Sequence, residues 1–334
     1  MEGQNASRTV KSPLRVGVVG VGYLGKFHAE KYASHPQVEL VGVVDTNKSQ
    51  ADQIAKKLGC RSFYHHAELF GKVDAVSIAA PTEAHFEIGR DFIRQHVDVL
   101  IEKPITTTVE EADILLQSAE KHNVILQVGQ LERFNPAVLD LQDSIDTPLF
   151  IESHRLSMFK PRSLDVSVVL DLMIHDIDII LSFVQSGIKN IRAAGVPVIT
   201  DTVDIANARL EFDSGCIANV TASRISMKNE RKIRLFQKDA YISINFADHN
   251  IMIVRRDGKQ NEGIIPGMTV VKRDFSEADS LNHEIRSFVE AVMERKEPKV
   301  TGKMGRDALK IALSVMEQIT ETSERLIDVP AGKE

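Results

Sequence analysis

The stretch Leu14–Asp45, LRVGVVGVGYLGKFHAEKYASHPQVELVGVVD, decides how the rest of the chain is read. Leu14–Val19 is a short valine-rich apolar run, which predicts a strand buried on both faces of a parallel sheet. Gly20, Gly22 and Gly25 follow with the spacing G-x-G-x-x-G. The first permits a tight turn, the second lets the backbone approach a pyrophosphate, and the third lets the next helix pack close to the strand. At that helix N-terminus the free N–H groups of Tyr23, Leu24 and their neighbours, with the positive end of the helix dipole, offset phosphate charge without a lysine. A second apolar run, Val38–Val44, ends in Asp45. That is about twenty residues past the glycines, where a carboxylate reaches the adenosine ribose hydroxyls and repels a 2′-phosphate. Three glycines alone could make an ordinary loop. Strand, glycines, helix, strand and acid in this order predict a βαβ unit that binds NAD.

Composition sets the outer bounds. A chain of 334 residues exceeds what one core usually supports, so two domains are expected: 14–130 as the NAD-binding domain and 131–334 as a substrate-binding and oligomerisation domain. A formal charge of -6 argues against nucleic acid as the main partner, because phosphate recognition wants a basic face. Cys60 and Cys216, the two cysteines, suit a reducing cytoplasm better than a disulfide framework or a zinc site. Met1–Pro13 is polar and reads as a disordered lead, and no apolar run is long enough for a membrane span.

Beyond Asp45 helix and strand keep alternating. Ala51, Ile54, Ala55 and Leu58 mark a helix that Gly59 stops, and Val73–Ala80 reads as the next buried strand. Ala80, Pro81 and Thr82 then stand at the carboxyl end of a parallel strand, the edge at which open α/β sheets bind ligands, with His85 in the first turn beyond. Either these residues line the cofactor site, or Thr82 caps a helix and His85 is ordinary surface. Val97–Ile101 delivers Glu102, Lys103 and Pro104 to the same edge; a helix over 109–122 and a strand over 124–128 complete the sheet. Lys103, held by a following proline at the end of a buried strand, is a candidate for chemistry, since desolvation there lowers a lysine pKa. The alternative is a strand-end cation paired with Glu102.

The other stretch with chemical content is Val168–Val184, VVLDLMIHDIDIILSFV. Its helical wheel is apolar in nearly every direction, yet Asp171, His175, Asp178 and Ser182 fall on one stripe, with Asp176 off it. Burying such a row without partners costs several kcal/mol, so it is either satisfied internally or faces a ligand. Asp171 one turn before His175 can orient the imidazole and raise its basicity, the arrangement of a general base. A metal is the rival reading, but further His or Cys ligands at zinc spacing are not evident, and none is expected.

Taken together the glycine turn, APTEAH at 80–85, EKP at 102–104 and D-x-x-x-H-x-x-D at 171–178 resemble the family of glucose-fructose oxidoreductase, inositol dehydrogenase and their relatives, Gfo/Idh/MocA. RFNPA at 133–137 and the segment EIRSFVEAVMERKEPKVTGKMGRDALKIALSV are similar to that family's sequences as well. The resemblance implies a nicotinamide-dependent sugar or cyclitol dehydrogenase. It implies that Lys103 contacts the reacting hydroxyl, that Asp171 and His175 move its proton, and that Glu102 and Pro104 lie by the nicotinamide. It also implies a second domain with an open, mainly antiparallel sheet through which a homodimer or homotetramer forms. Two departures stand out. Ser167, Val168 and Val169 replace glycines common before the aspartate, and Met173 replaces the usual glycine between Asp171 and His175.

Period-two patterning over 206–212 and 242–246 predicts strands in the second half, as do 150–156, 217–224, 232–237 and 251–255, with Asp213–Gly215 as a hairpin turn. Alternating helices and strands first, successive strands later, predict an α/β chain: a doubly wound Rossmann domain followed by an α+β domain. Two basic clusters bear on the substrate: His154, Arg155, Lys160 and Arg162 before the candidate helix, and Arg224, Lys228, Arg231, Lys232 and Arg234 around a hairpin. With Arg133 they could hold the pyrophosphate of a nucleotide sugar; otherwise they are solvated loops. The segment VVLDLMIHDIDI is similar to that of family members acting at the 3-hydroxyl of UDP-N-acetylglucosamine-type sugars. The reading is therefore an NAD-dependent nucleotide-sugar dehydrogenase. The alternatives are a free-sugar or cyclitol dehydrogenase, a glycoside-cleaving enzyme that recycles its NAD, and a noncatalytic NAD sensor.

Overall fold

The computed structural model describes residues 13–141, 144–160, 166–256, 267–275 and 279–327. The lead at 1–12 and Arg162 lie outside them.

In the first unit, six parallel strands form a sheet whose central members are almost wholly buried. The order is β1 (Leu14–Val19), α1 (Gly25–Ser34), β2 (Val38–Val44), α2 (Lys48–Leu58), β3 (Arg61–Phe63), β4 (Ala75–Ile78), α3 (Thr82–Arg94), β5 (Asp98–Glu102), α4 (Val109–His122) and β6 (Leu126–Gly129). The strands lie in the order β3-β2-β1-β4-β5-β6, so the direction of winding reverses between β1 and β4, at the mouth of the glycine turn. Asn47 caps α2 by accepting the Gln50 N–H, and Gly59 closes it at φ 69°, a left-handed conformation that costs glycine little. Thr108 and Glu111 form a capping box at the start of α4.

The second unit holds α5 (Pro136–Leu141), β7 (Phe150–Leu156), a π-helical turn at Val169–Met173, α6 (Ile174–Phe183) and β8 (Ile188–Val196). It continues through β9 (Ile205–Phe212), β10 (Ile217–Ser223), β11 (Glu230–Phe236), β12 (Ala240–Asn245), β13 (Asn250–Arg256) and β14 (Met268–Asp274). These make one mixed sheet, β14-β13-β12-β11-β7-β10-β9-β8, antiparallel except for the β7–β10 pair. One face is apolar: Ile151, Leu210, Val220, Ile233 and Ile244 pack with Met173, Ile177 and Ile180 of the π turn and α6 into a single core.

The last two helices are α7 (Ser280–Glu294) and α8 (Gly302–Ile327). Residues Leu281–Arg306 group with the first unit and not the second. Ile285, Phe288, Val289 and Val292 of α7 join the core built on Leu14, Val16 and Val18. Arg295 pins the segment, its guanidinium donating to Asp98 at 2.6 Å. Among the described residues no helix is long and apolar enough to cross a membrane.

Candidate active site

The glycine turn is shaped by contacts that a side chain would destroy. A Cβ on Gly25 would lie 1.7 Å from the Gly20 carbonyl oxygen, and one on Gly20, where φ is +81°, would meet the Ala79 and Ala80 backbone at 2.7 Å. Gly22 differs. A Cβ there would meet no protein atom within 4 Å, so packing within the chain does not require a glycine, whereas close approach of a pyrophosphate does. Tyr23 and Leu24 at the opening of α1 are exposed, 68% and 43%, leaving the helix N-terminus open to a ligand. The Asp45 carboxylate accepts the Val21 N–H at 2.9 Å and the Asn47 N–H at 2.9 Å, and Gln50 donates to the Val21 carbonyl at 2.9 Å. The acid at the end of β2 thus also fixes the turn.

At the neighbouring strand ends, Ala80 follows β4, Pro81 occupies the N-cap of α3 without a side-chain cap bond, and Thr82 is its first residue. His85 is neither surface nor an open ligand. It is 1% exposed, with Nδ1 2.9 Å from the Pro104 carbonyl and Nε2 2.8 Å from the Ala80 carbonyl. Both ring nitrogens thus face backbone carbonyls, and the neutral ring donates its one N–H to one of them, at the end of β4 or of β5 according to the tautomer. Burial pushes its pKa down, against the two carbonyls and the nearby Glu102.

Glu102 ends β5. Its Oε1 lies 2.9 Å from His28 Nε2 and its Oε2 accepts the Lys103 N–H at 3.2 Å. Gly129 on β6 leaves space for this carboxylate, since a Cβ there would sit 2.9 Å from the Glu102 carboxyl carbon. Lys103 is half-buried and is followed by a cis peptide to Pro104.

In the second unit the stripe on the candidate helix divides. Asp171 falls inside the π turn and His175 in the first turn of α6, both half-buried. π turns are frequent at functional sites, and this one spans Val169–Met173. Asp178 and Ser182 are spent on structure. Arg133 grips Asp178 with two hydrogen bonds, 2.6 and 3.1 Å, and the Ser182 hydroxyl donates to the Ile179 carbonyl at 2.6 Å. Burial raises the Asp178 pKa, an effect that Arg133 offsets in part.

The basic clusters are largely rearranged by folding. Arg155 is 3% exposed and donates to Asp176 at 2.8 Å and to Glu132 at 3.0 Å. Burial opposes its charge, but the two carboxylates more than compensate and hold its pKa above the ordinary arginine value. Arg224, 5% exposed, donates to the Val166 carbonyl and lies 3.9 Å from Asp204. Arg133, Arg155 and Arg224 thus each have internal partners. His154 alternates with Arg155 on β7 and so faces the opposite side of the sheet from α6, beside Glu230 at 3.5 Å. Arg231 stands opposite Arg155 in register, on the α6 face, and is exposed. The sequence did not single out His28 or Glu284, both buried in the first unit. The available sign for Glu284 was its place on the apolar stripe of α7, one turn from Phe288.

Comparison with known proteins agrees with this architecture. Residues 14–130 match the model described as an oxidoreductase family with an NAD-binding Rossmann fold, and 147–243 match the Gfo/Idh/MocA C-terminal domain. UDP-N-acetylglucosamine 3-dehydrogenase from Acidithiobacillus ferrooxidans is 39% identical over 303 residues, covering 90% of this chain and 96% of the relative. The chain belongs to the Gfo/Idh/MocA oxidoreductase family. The solved structure of that A. ferrooxidans enzyme superposes with a TM-score of 0.86 at 37% identity, over 92% of this chain and 97% of that one. A scyllo-inositol 2-dehydrogenase (NAD(+)) from Bacillus subtilis is 29% identical over 86% of this chain and 89% of its own. This family member is thus an NAD-binding oxidoreductase acting on CH–OH groups.

Proposed function

We propose that the protein oxidises a ring hydroxyl of a nucleotide sugar, of the UDP-N-acetylglucosamine type and at its 3-position. The observation that carries the reading is that Asp171, in the π turn, and His175, in the first turn of α6, are half-buried on an otherwise apolar helix whose other polar groups are consumed internally. His175 accepts the hydroxyl proton as the C–O bond gains double-bond character, and Asp171 orients and supports the imidazolium. In the first unit, the Lys103 ammonium serves to polarise a substrate hydroxyl. NAD, when bound at the glycine turn, takes up the hydride leaving the carbinol carbon. Glycine backbone, the α1 N-terminus and Asp45 hold the cofactor.

The nucleotide-sugar class is supported by the 39% identity to a UDP-N-acetylglucosamine 3-dehydrogenase against 29% to an inositol dehydrogenase. With Arg133, Arg155 and Arg224 engaged in ion pairs, the diphosphate falls to exposed cations on the α6 side, Arg231 first. A homodimer or homotetramer through the second sheet, working in the cytoplasm, completes the proposal.

The test is NADH absorbance with UDP-N-acetylglucosamine, free N-acetylglucosamine, myo-inositol and scyllo-inositol as substrates. A kcat/KM at least about tenfold higher for the nucleotide sugar is expected, since an added charge-assisted contact is worth about 1.5 to 3 kcal/mol. Equal or better use of an inositol overturns the substrate class. Turnover with no net NADH moves the protein to the NAD-recycling class.

A further inference from the structure

We propose that Glu284 is a positioning residue that stays a neutral carboxylic acid in the working enzyme, leaving Glu102 as the lone carboxylate that holds the Lys103 backbone. The proposal rests on the role given to Lys103 above.

The geometry lies wholly in the first unit. Glu284 on α7 has no exposed surface, and neither of its carboxyl oxygens has a hydrogen-bond partner among the described residues. His28, Glu102 and Glu284 each present an atom within 4.8 Å of the others. Two carboxylates that close in a dry setting do not both ionise, because each desolvated charge raises the energy of the other. Which one keeps the proton follows from the donors.

A chain of short polar contacts leads to Glu102. The Tyr32 hydroxyl is 2.8 Å from Ser77 Oγ, Ser77 Oγ is 3.3 Å from His28 Nδ1, and His28 Nε2 is 2.9 Å from Glu102 Oε1. With Tyr32 donating to Ser77 and Ser77 to Nδ1, a neutral imidazole carries its proton on Nε2 and donates it to Glu102. The Lys103 N–H donates to the other Glu102 oxygen. Glu102 therefore receives two donors and Glu284 none, so the proton resides on Glu284. Burial and then the neighbouring Glu102 raise its pKa well above the usual carboxylate range. Both nitrogens of His28 are used in this chain, which leaves no lone pair for a metal ion. The groups around Glu284 are His28 and Tyr32 from α1, Glu102 from the end of β5, and the neutral Gln127 of β6, whose amide meets the Glu284 carbonyl at 3.5 Å. Ionising Glu284 would set a second negative charge against Glu102 and displace the carboxylate on which the Lys103 turn hangs.

The direction of the pH effect follows from linkage. A folded-state pKa above the unfolded value means that the native protein keeps a proton the unfolded chain gives up, so stability declines as pH rises above about 4.5. Glu284→Gln keeps the shape and the donor of the neutral acid and cannot ionise. On the full chain with NAD, the thermal midpoint of Glu284→Gln should exceed wild type by a margin that grows by roughly 2 to 4 °C between pH 5 and 8. Its kcat at pH 7 should stay within about threefold of wild type, and any alkaline fall in kcat caused by Glu284 should disappear, whereas Glu284→Ala should lower kcat at least about tenfold with little change in KM. A Gln variant with no pH-dependent gain in midpoint overturns the proposal. So does a folded Gln variant that loses tenfold or more in kcat, an Ala variant with normal kcat, or a stoichiometric metal in the purified protein that the Gln variant lacks. Failure of the wild type to turn over any sugar defeats the dehydrogenase reading instead, and the midpoint comparison does not depend on it.

Discussion

The Asp45 carboxylate accepts the Val21 N–H at 2.9 Å, so the acid proposed to meet the adenosine ribose also braces the turn between Gly20 and Gly22. Charge at that point opposes a 2′-phosphate. NADH should therefore bind at least about tenfold more tightly than NADPH, as titrated by cofactor fluorescence, and Asp45→Ala should weaken NADH while narrowing the difference. Tighter binding of NADPH to the wild type would remove Asp45 from this role and turn attention to Lys48 and Arg61.

His175→Ala tests the chemistry. The variant should lose roughly two to four orders of magnitude in kcat, the range for general-base removal, while its NADH affinity stays near wild type because the glycine turn is untouched. Lys103→Ala should behave similarly, and Asp171→Asn should cost less, since the base itself remains. Normal turnover per NADH-binding site in His175→Ala would sink the assignment, whatever happens to the thermal midpoint.

Much of the first unit was readable because its forces are local. Buried parallel strands need continuous apolar runs, Gly59 must be left-handed to stop α2, and Thr108 with Glu111 marks the start of α4. In the second unit the interior strands were legible by alternation, but β8 and β14 were not. They are the two edges of the sheet, where fewer side chains are buried and the contrast between faces fades.

The candidate site was legible in part for the same reason. The sequence places Asp171 near His175, but the π turn between them is a tertiary outcome. Arg155 and Asp176 look like a surface cation and a stray acid until β7 and α6 pack and bury them together. Nothing local distinguishes an arginine bound for a phosphate from one bound for a buried carboxylate.

That pairing has its own consequence. Arg155→Ala leaves Asp176 and Glu132 facing each other without a cation in a buried setting, which should cost about 3 to 5 kcal/mol. Differential scanning calorimetry should show a clear fall in the midpoint of the variant. A wild-type midpoint together with a tenfold rise in KM for UDP-N-acetylglucosamine would instead restore Arg155 as a substrate ligand.

Asp204 provides the acid-side counterpart. Its Oδ2 accepts the backbone N–H groups of Val198, Ile199 and Thr200 at 2.8, 2.6 and 2.9 Å, and the Thr200 hydroxyl donates to Oδ1 at 2.8 Å. Burial works against this charge, but the donors outweigh it and bring the pKa down to about 2. A depressed folded-state pKa means that the stabilisation is present above the unfolded value near 3.8 and is lost as pH falls from there toward about 2. Its size is roughly 1 to 3 kcal/mol. Because the same carboxylate neighbours Arg224, Asp204→Asn should lower the urea midpoint at pH 7, and the deficit against wild type should shrink as both proteins are compared at pH 4, 3 and 2.5. A deficit that stays constant across that range would mean that the loop between β8 and β9 depends on the shape of Asp204 and not on its charge.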